Sequence, residues 1–108
     1  MEQAVVNIDA MRAAAGQATA VLRVLANEDR LLLLCQLAHG ERSVGNLEEL
    51  LGLYQPTLSQ QLGVLRSEGL VTTRRDGKRI YYSIADAKVL VLLGAVYELY
   101  CPAPEAKR

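Results

Sequence analysis

The stretch SVGNLEELLGLYQPTLSQQLGVLRSEGLVTTRRDGKRIYYSI, running from Ser43 to Ile84, decides the fold. Ser43 offers a side-chain oxygen to the first turn of a helix whose Leu47, Leu50 and Leu51 face the core, and Gly52 breaks that helix. A second helix follows closely. Its Pro56 fits the first helical position, where a missing N–H leaves no bond unmade, and Leu58, Leu62 and Leu65 recur at i, i+4 and i+7 as a buried stripe. Two short helices joined by a glycine-led turn have the geometry of a helix-turn-helix, in which the second helix crosses the first steeply enough to enter a groove.

With the leucines fixing the buried side, a helical wheel sets Pro56, Gln60, Gly63 and Ser67 opposite, flanked by Thr57 and Ser59. This face is small, polar and almost uncharged. Gln pairs with adenine in a bidentate way, Ser and Thr hydroxyls bond bases or phosphates, and glycine lets a backbone come close. An ordinary solvated helix face is the plainer alternative. The next segment, Val71 to Ile84, contains Asp76-Gly77, a two-residue hairpin signal. Centring the turn there sets Arg75 opposite Lys78, Arg74 opposite Arg79, Thr73 opposite Ile80, Thr72 opposite Tyr81 and Val71 opposite Tyr82. Val71, Ile80, Tyr82 and Ile84 then share one face. Like charges facing one another destabilise a sheet, so this register expects a polyanion at the tip; a merely solvated hairpin is the alternative.

Outward from this stretch, Val5, Ile8, Met11, Arg12 and Ala15 recur at helical spacing, and Ala18, Val21, Leu22 and Leu25 continue the period. Asn27 is placed to cap a further helix with Glu28 and Asp29 in its first turn, which runs to about Ala38 before Gly40. After the hairpin, Asp86 to Cys101 is apolar on nearly every side, and such a helix must be buried all round. A chain of 108 residues is one domain and cannot wrap that helix alone. A two-fold dimer is expected, with paired readers about 34 Å apart on a palindrome. Leu93→Glu, in mid-helix, is expected to break it.

The expected fold is therefore mainly α with a small β-hairpin, a winged helix-turn-helix in the order α-α-α-α-β-β-α, as a homodimer. It is one domain over 1–108, with 1–38 and 86–101 as dimerisation and sensing helices, 43–67 as the helix-turn-helix and 71–84 as the wing. Net charge is zero, but charge distribution matters more than its sum. Arg66, Arg74, Arg75, Lys78 and Arg79 gather against only Glu68 and Asp76. The candidate DNA-binding residues are Gln55, Thr57, Ser59, Gln60, Arg66, Arg74, Arg75, Lys78 and Arg79, with double-stranded DNA as partner. No apolar run reaches the roughly 20 residues of a membrane span and no signal-peptide pattern opens the chain, so a cytoplasmic protein without membrane contact is expected.

The element order, together with Leu58-Ser59-Gln60-Gln61-Leu62 and Leu65-Arg66-x-x-Gly69-Leu70-Val71, resembles the ArsR/SmtB family of bacterial repressors over nearly the whole chain. The resemblance implies a homodimeric winged-helix repressor that leaves its operator when an inducer binds. Its metal motifs are missing. Ser43-Val44-Gly45 stands where the arsenic-sensing type has Cys-Val-Cys, and of the zinc-sensing pattern on the last helix only Asp86 is kept. Gln61 stands where many members carry His. The contexts of Cys35 and Cys101 resemble the sulfide-responsive branch of the family, of the BigR and SqrR type. That likeness implies a sensing dithiol, Cys35 and Cys101, which reactive sulfur species oxidise to a disulfide or polysulfide bridge with release of DNA.

Read without the family, the cysteines leave alternatives open. Free Cys is often simply buried, and a permanent disulfide is unusual in a reducing cytosol. Both thiols stand near helix C-termini, where the dipole disfavours a thiolate. Cys35 and His39 are an i, i+4 pair to which Cys101 could add a third metal ligand. A dithiol enzyme would carry Cys-x-x-Cys or a Cys with a base and an orienting carboxylate, and neither pattern occurs. No enzyme activity, cofactor or resident metal is expected. A winged helix used for protein contact remains as a further alternative; steep salt dependence on DNA separates it from a reader.

Overall fold

The computed structural model describes residues 7–101. Helix α1 spans Ile8–Leu25, α2 Glu28–Leu37, α3 Val44–Leu51, α4 Thr57–Ser67 and α5 Ala87–Tyr100. Strand β1 is Arg42–Ser43, β2 Val71–Asp76 and β3 Arg79–Ile84. The three strands form an antiparallel sheet in the order β1-β3-β2. The expected helices and hairpin are present. The additional strand is β1, whose Arg42 and Ser43 pair with Tyr82 and Tyr81. It ties the start of α3 to the hairpin, so the reader and the wing share one frame.

Local chemistry sets the helix ends. Asn7 accepts from Ala10 N and Asn27 from Arg30 N, each at 3.0 Å, and each satisfies an orphan donor of a first turn. The two apolar stretches before Asn27 are one continuous helix passing through Gly16, with Val5 lying outside the described residues. Ser43 Oγ accepts from Asn46 N at 3.1 Å and Asn46 Oδ1 accepts from Ser43 N at 3.3 Å, a reciprocal cap on α3. Gly52 closes α3 at φ 67°, a left-handed conformation that a side chain would resist. Pro56 is the residue before the first turn of α4, one position earlier than the sequence pattern places it. Because Ser43 is buried, Ser43→Ala is expected to lower unfolding free energy by about 0.5–2 kcal/mol. Urea denaturation measures this; an unchanged midpoint would mean that β1 pairing alone holds the start of α3.

The core is built of Val24 and Leu25 from α1, Leu33, Leu34 and Leu37 from α2, Leu47 from α3, Leu58, Leu62 and Leu65 from α4, and Val89 and Leu93 from α5. The leucine stripe of α4 is buried as its spacing predicts. Leu51 is half buried, but Leu50, expected in the core, is 55% exposed. A helix of eight residues makes barely two turns, and its second leucine falls on the solvent side.

The hairpin register differs from the expected one. The observed pairs are Asp76 with Arg79, Arg75 with Ile80, Arg74 with Tyr81, Thr73 with Tyr82, Thr72 with Ser83 and Val71 with Ile84. The turn centres on Gly77-Lys78. Only glycines take positive φ among the described residues, and Gly77 does so at 64°. A turn centred on Asp76-Gly77 would demand positive φ of Asp76 as well, whereas one with glycine at the first central position does not. The shift is two residues, so the apolar face survives it, but no basic pair stands directly across the tip.

Helices α1 and α5 are underpacked in the single chain. Every residue of α1 from Ile8 to Ala20 is exposed, and on α5 Val91 and Leu99 are both 74% exposed and Tyr100 81%. The radius of gyration is 16.4 Å, against about 13 Å for a compact chain of this length. Leu93, by contrast, is only 2% exposed within its own chain. It belongs to the core, so a charge at Leu93 tests folding rather than association, and Val91 is the position that probes a partner surface.

Candidate nucleic-acid interface and thiol pair

Burial of Leu58, Leu62 and Leu65 turns the other side of α4 outward. Pro56, Ser59, Gln60, Gly63 and Ser67 are exposed, and Thr57 is half buried at the start of the helix. Ser59 Oγ donates to Gln55 Oε1, which ties the residue before Pro56 to the first turn. Arg66 is exposed in the last turn. The structure thus assembles Gln55, Ser59, Gln60 and Arg66 on one accessible surface, with Thr57 at its edge. Hydroxyl and amide groups there have donors and acceptors left for a ligand.

The four wing cations are not equivalent. Arg75, Lys78 and Arg79 are exposed and in no ion pair among the described residues. Arg74 is engaged on three sides. Its Nε and Nη2 donate to the two carboxylate oxygens of Glu41 at 2.7 and 2.8 Å, a bidentate fork. Its guanidinium also lies 4.6 Å from the centre of the Tyr81 ring, and Nη1 is 4.0 Å from Asp76 Oδ2. The hydrogen bond from Arg74, and then its charge, hold the Glu41 carboxyl below the usual carboxylate range. Tyr81, rather than Arg79, stands across from Arg74. The expected repulsion of paired cations is thereby replaced by a ring and a carboxylate, and the fork pins the wing to the turn after α2. Beside the wing tip, a cleft of about 600 Å³ opens between the start of α3 and Lys78, Arg79 and Ile80.

The thiols lie elsewhere, on α2 and at the end of α5. Cys35 is two residues from the end of α2 and half buried, beside a groove of about 320 Å³ that is also lined by His39, Leu93, Tyr97 and Glu98. Cys101 closes α5, donating its N–H to Tyr97 O at 3.0 Å, and is exposed. Both are free thiols. Burial pushes the Cys35 thiol above its ordinary value, and the charge of Cys101 pushes it further. His39 shares the groove with Cys35, but among the described residues no three His, Cys, Asp or Glu side chains are grouped to hold a metal ion. The set Cys35, His39 and Cys101 is not assembled as a metal site.

Three residues outside the sequence-level candidates join these features. Glu41 and Tyr81 hold Arg74, and Arg30 bonds to Gln61 of α4. Glu41 and Gln61 lie far along the chain from the arginines they meet, and Tyr81 faces Arg74 only in the observed hairpin register. No helix of the described residues is long and apolar enough to cross a membrane.

Comparison with known proteins gives a consistent result. Residues 27–73, which hold α2, the helix-turn-helix and the first part of the wing, match the model described as "Bacterial regulatory protein, arsR family". The chain is 50% identical over 98 residues to the biofilm growth-associated repressor of Agrobacterium fabrum, spanning 91% of this chain and 83% of that protein. The crystal structure of the transcriptional repressor BigR from Xylella fastidiosa superposes with a TM-score of 0.83 at 44% identity, covering 90% of this chain and 99% of that one. A homodimeric winged helix-turn-helix DNA-binding domain from Mycobacterium bovis superposes with a TM-score of 0.71 at 38% identity, covering 90% of this chain and 89% of that one.

Proposed function

Because the chain belongs to the arsR family of bacterial regulatory proteins, we propose that it is a homodimeric transcriptional repressor that lets go of its DNA operator when Cys35 and Cys101 are oxidised by reactive sulfur species. The observation that carries the DNA half of this reading is the exposed, uncharged face of α4 beside a wing with three cations that are in no ion pair among the described residues. Thr57, Ser59 and Gln60 read base edges, with Gln55 bonded to Ser59. Arg66, Arg75, Lys78 and Arg79 hold phosphates. Arg74 borders the same backbone but is already neutralised by Glu41, so it orients the wing more than it adds charge. The repressor names of the similar proteins and the homodimeric state of one of them support the same reading.

The sensing half rests on the placement of Cys35 in the groove between α2 and α5, with Cys101 exposed at the end of α5. The first thiolate attacks a sulfane sulfur of a polysulfide, forming a Cys persulfide and expelling a shorter sulfide. The second thiolate then attacks the inner sulfur of that persulfide, closing an S–S bond while hydrosulfide leaves. Two thiols give up two electrons and two protons, and sulfane sulfur is reduced to hydrogen sulfide. Addition of further sulfane sulfur before closure gives a longer bridge, which spans a wider gap than a plain disulfide allows.

The DNA half is tested by separating base contacts from phosphate contacts. Gln60→Ala is expected to relax sequence preference by roughly 1–3 kcal/mol at one base pair, while Arg75→Ala or Lys78→Ala weakens all duplexes alike and lowers the salt slope by about one. Arg74→Ala should change that slope less than either. A wing variant at Arg75 that left non-specific binding untouched would remove the wing from the DNA interface.

A further inference from the structure

Arg30 stands in the first turn of α2, half buried, and its guanidinium bonds backwards into the protein. Nε donates to Val24 O at 2.7 Å and Nη2 to Arg23 O at 3.4 Å. Both carbonyls belong to the last turn of α1, where the helix dipole favours a cation, and Arg23 O also accepts from Ala26 N at 3.3 Å. The remaining arm, Nη1, donates to Gln61 Oε1 on α4 at 3.1 Å. Among the described residues Arg30 is in no ion pair, so these three oxygens are the partners its charge has. One rigid, planar fork thus joins α1, α2 and α4, which a flexible ammonium could not do with the same geometry.

Gln61 is half buried beside the leucine stripe and adjoins Gln60. Apolar burial of Leu58, Leu62 and Leu65 sets how deep α4 sits, but it is non-directional and tolerates a small roll of the helix. A hydrogen bond is directional and does not. We propose that Arg30 is a positioning residue for DNA recognition: acting through Gln61, it fixes the roll of α4 against the end of α1, so that Ser59 and Gln60 meet base edges in register. This rests on the reading of α4 as the DNA-contacting helix. Through α1 the same link refers each reader to the exposed helix surface expected to pair two copies, and Cys35 lies on the helix that carries it.

The experiment selects a duplex from a random library with reduced wild-type protein, then measures the ratio of affinities for that duplex and a scrambled one. Gln61→Leu is expected to lower this ratio about tenfold, the scale of one lost hydrogen bond to a charged group, with dimer mass unchanged. Arg30→Lys should lower it similarly, and the double variant no further than either single one. Gln61→Glu supplies a carboxylate that still accepts from Arg30, so it should keep the ratio while weakening both duplexes equally. Unchanged ratios in Gln61→Leu and Arg30→Lys, or losses that add in the double variant, would overturn the proposal. Where Arg30→Lys fails to fold, equal loss of ratio in Gln61→Leu and Gln61→Glu would overturn it by assigning Gln61 a direct contact with DNA. A selection that enriches nothing with wild-type protein defeats the α4 reading and this proposal with it, whereas enrichment followed by unchanged ratios defeats the proposal alone.

Discussion

Val91→Glu is expected to yield a folded monomer whose operator affinity is lower by roughly 10²- to 10⁴-fold. The size of the effect follows from joining two readers on one palindrome, where the second contact is made at high effective concentration and is lost when the subunits part. The position follows from the structure. Val91 is 74% exposed on α5, in the company of exposed Leu99 and Tyr100, and α1 is exposed from Ile8 to Ala20. So much apolar helix surface on one small chain marks an association site. A carboxylate there would have to be desolvated without a partner in the assembled dimer, but it stays in water in the monomer. Folding is spared, because the core residues of α5 are Val89 and Leu93. Sedimentation at micromolar concentration, with a melting curve to verify folding, decides the matter. A Val91→Glu protein that sediments as a dimer would move the interface to another surface.

The parts of this architecture legible in the sequence are those written in local chemistry. Asn27, Ser43 and Gly52 act on neighbouring backbone groups, and all three mark helix ends as their types predict. The leucines of α4 are legible because three turns give a period enough length to be unambiguous. The hairpin register is not legible, for a related reason. A slip of two residues returns every side chain to the same face, so the alternation of Val71, Ile80, Tyr82 and Ile84 is blind to it. Only the φ available to Asp76 distinguishes the two turns. That slip hides the pairing of Arg74 with Tyr81, and Glu41 lies 33 positions away, so the ion pair of Arg74 has no sign in the sequence. Strand β1 has two residues and hence no period at all. Arg30 was silent because two of its acceptors are backbone carbonyls, which no residue type announces. The thiols were legible only through resemblance. The groove that Cys35 lines is a product of folding α5 back onto α2.

The second large effect is release by oxidation. Closing a bridge between Cys35 and Cys101 ties α2 to the end of α5, the helix that carries the exposed apolar surface. The two readers are spaced through those helices, so tethering changes their separation or angle relative to a groove repeat of about 34 Å. Operator affinity is expected to fall by roughly 5- to 150-fold with no DNA-contacting residue altered, the range of a coupling of about 1–3 kcal/mol. The pH dependence follows from Cys35. Its folded-state value is raised by burial and by Cys101, so the folded protein keeps the Cys35 proton to higher pH. Its thiolate, and with it the rate of any step in which Cys35 attacks, should therefore go on rising past the ordinary value of 9.0. By the same linkage the contribution of this thiol to stability is complete below its unfolded value and is lost as pH rises through the folded one.

The most direct measurement is an operator titration on wild type, Cys35→Ser and Cys101→Ser, each reduced, treated with polysulfide, and treated and then chased with reductant. Wild type should bind, release and bind again, while both serine variants bind like reduced wild type and stay bound throughout. A Cys101→Ser protein that still releases its operator on polysulfide treatment would contradict the dithiol mechanism.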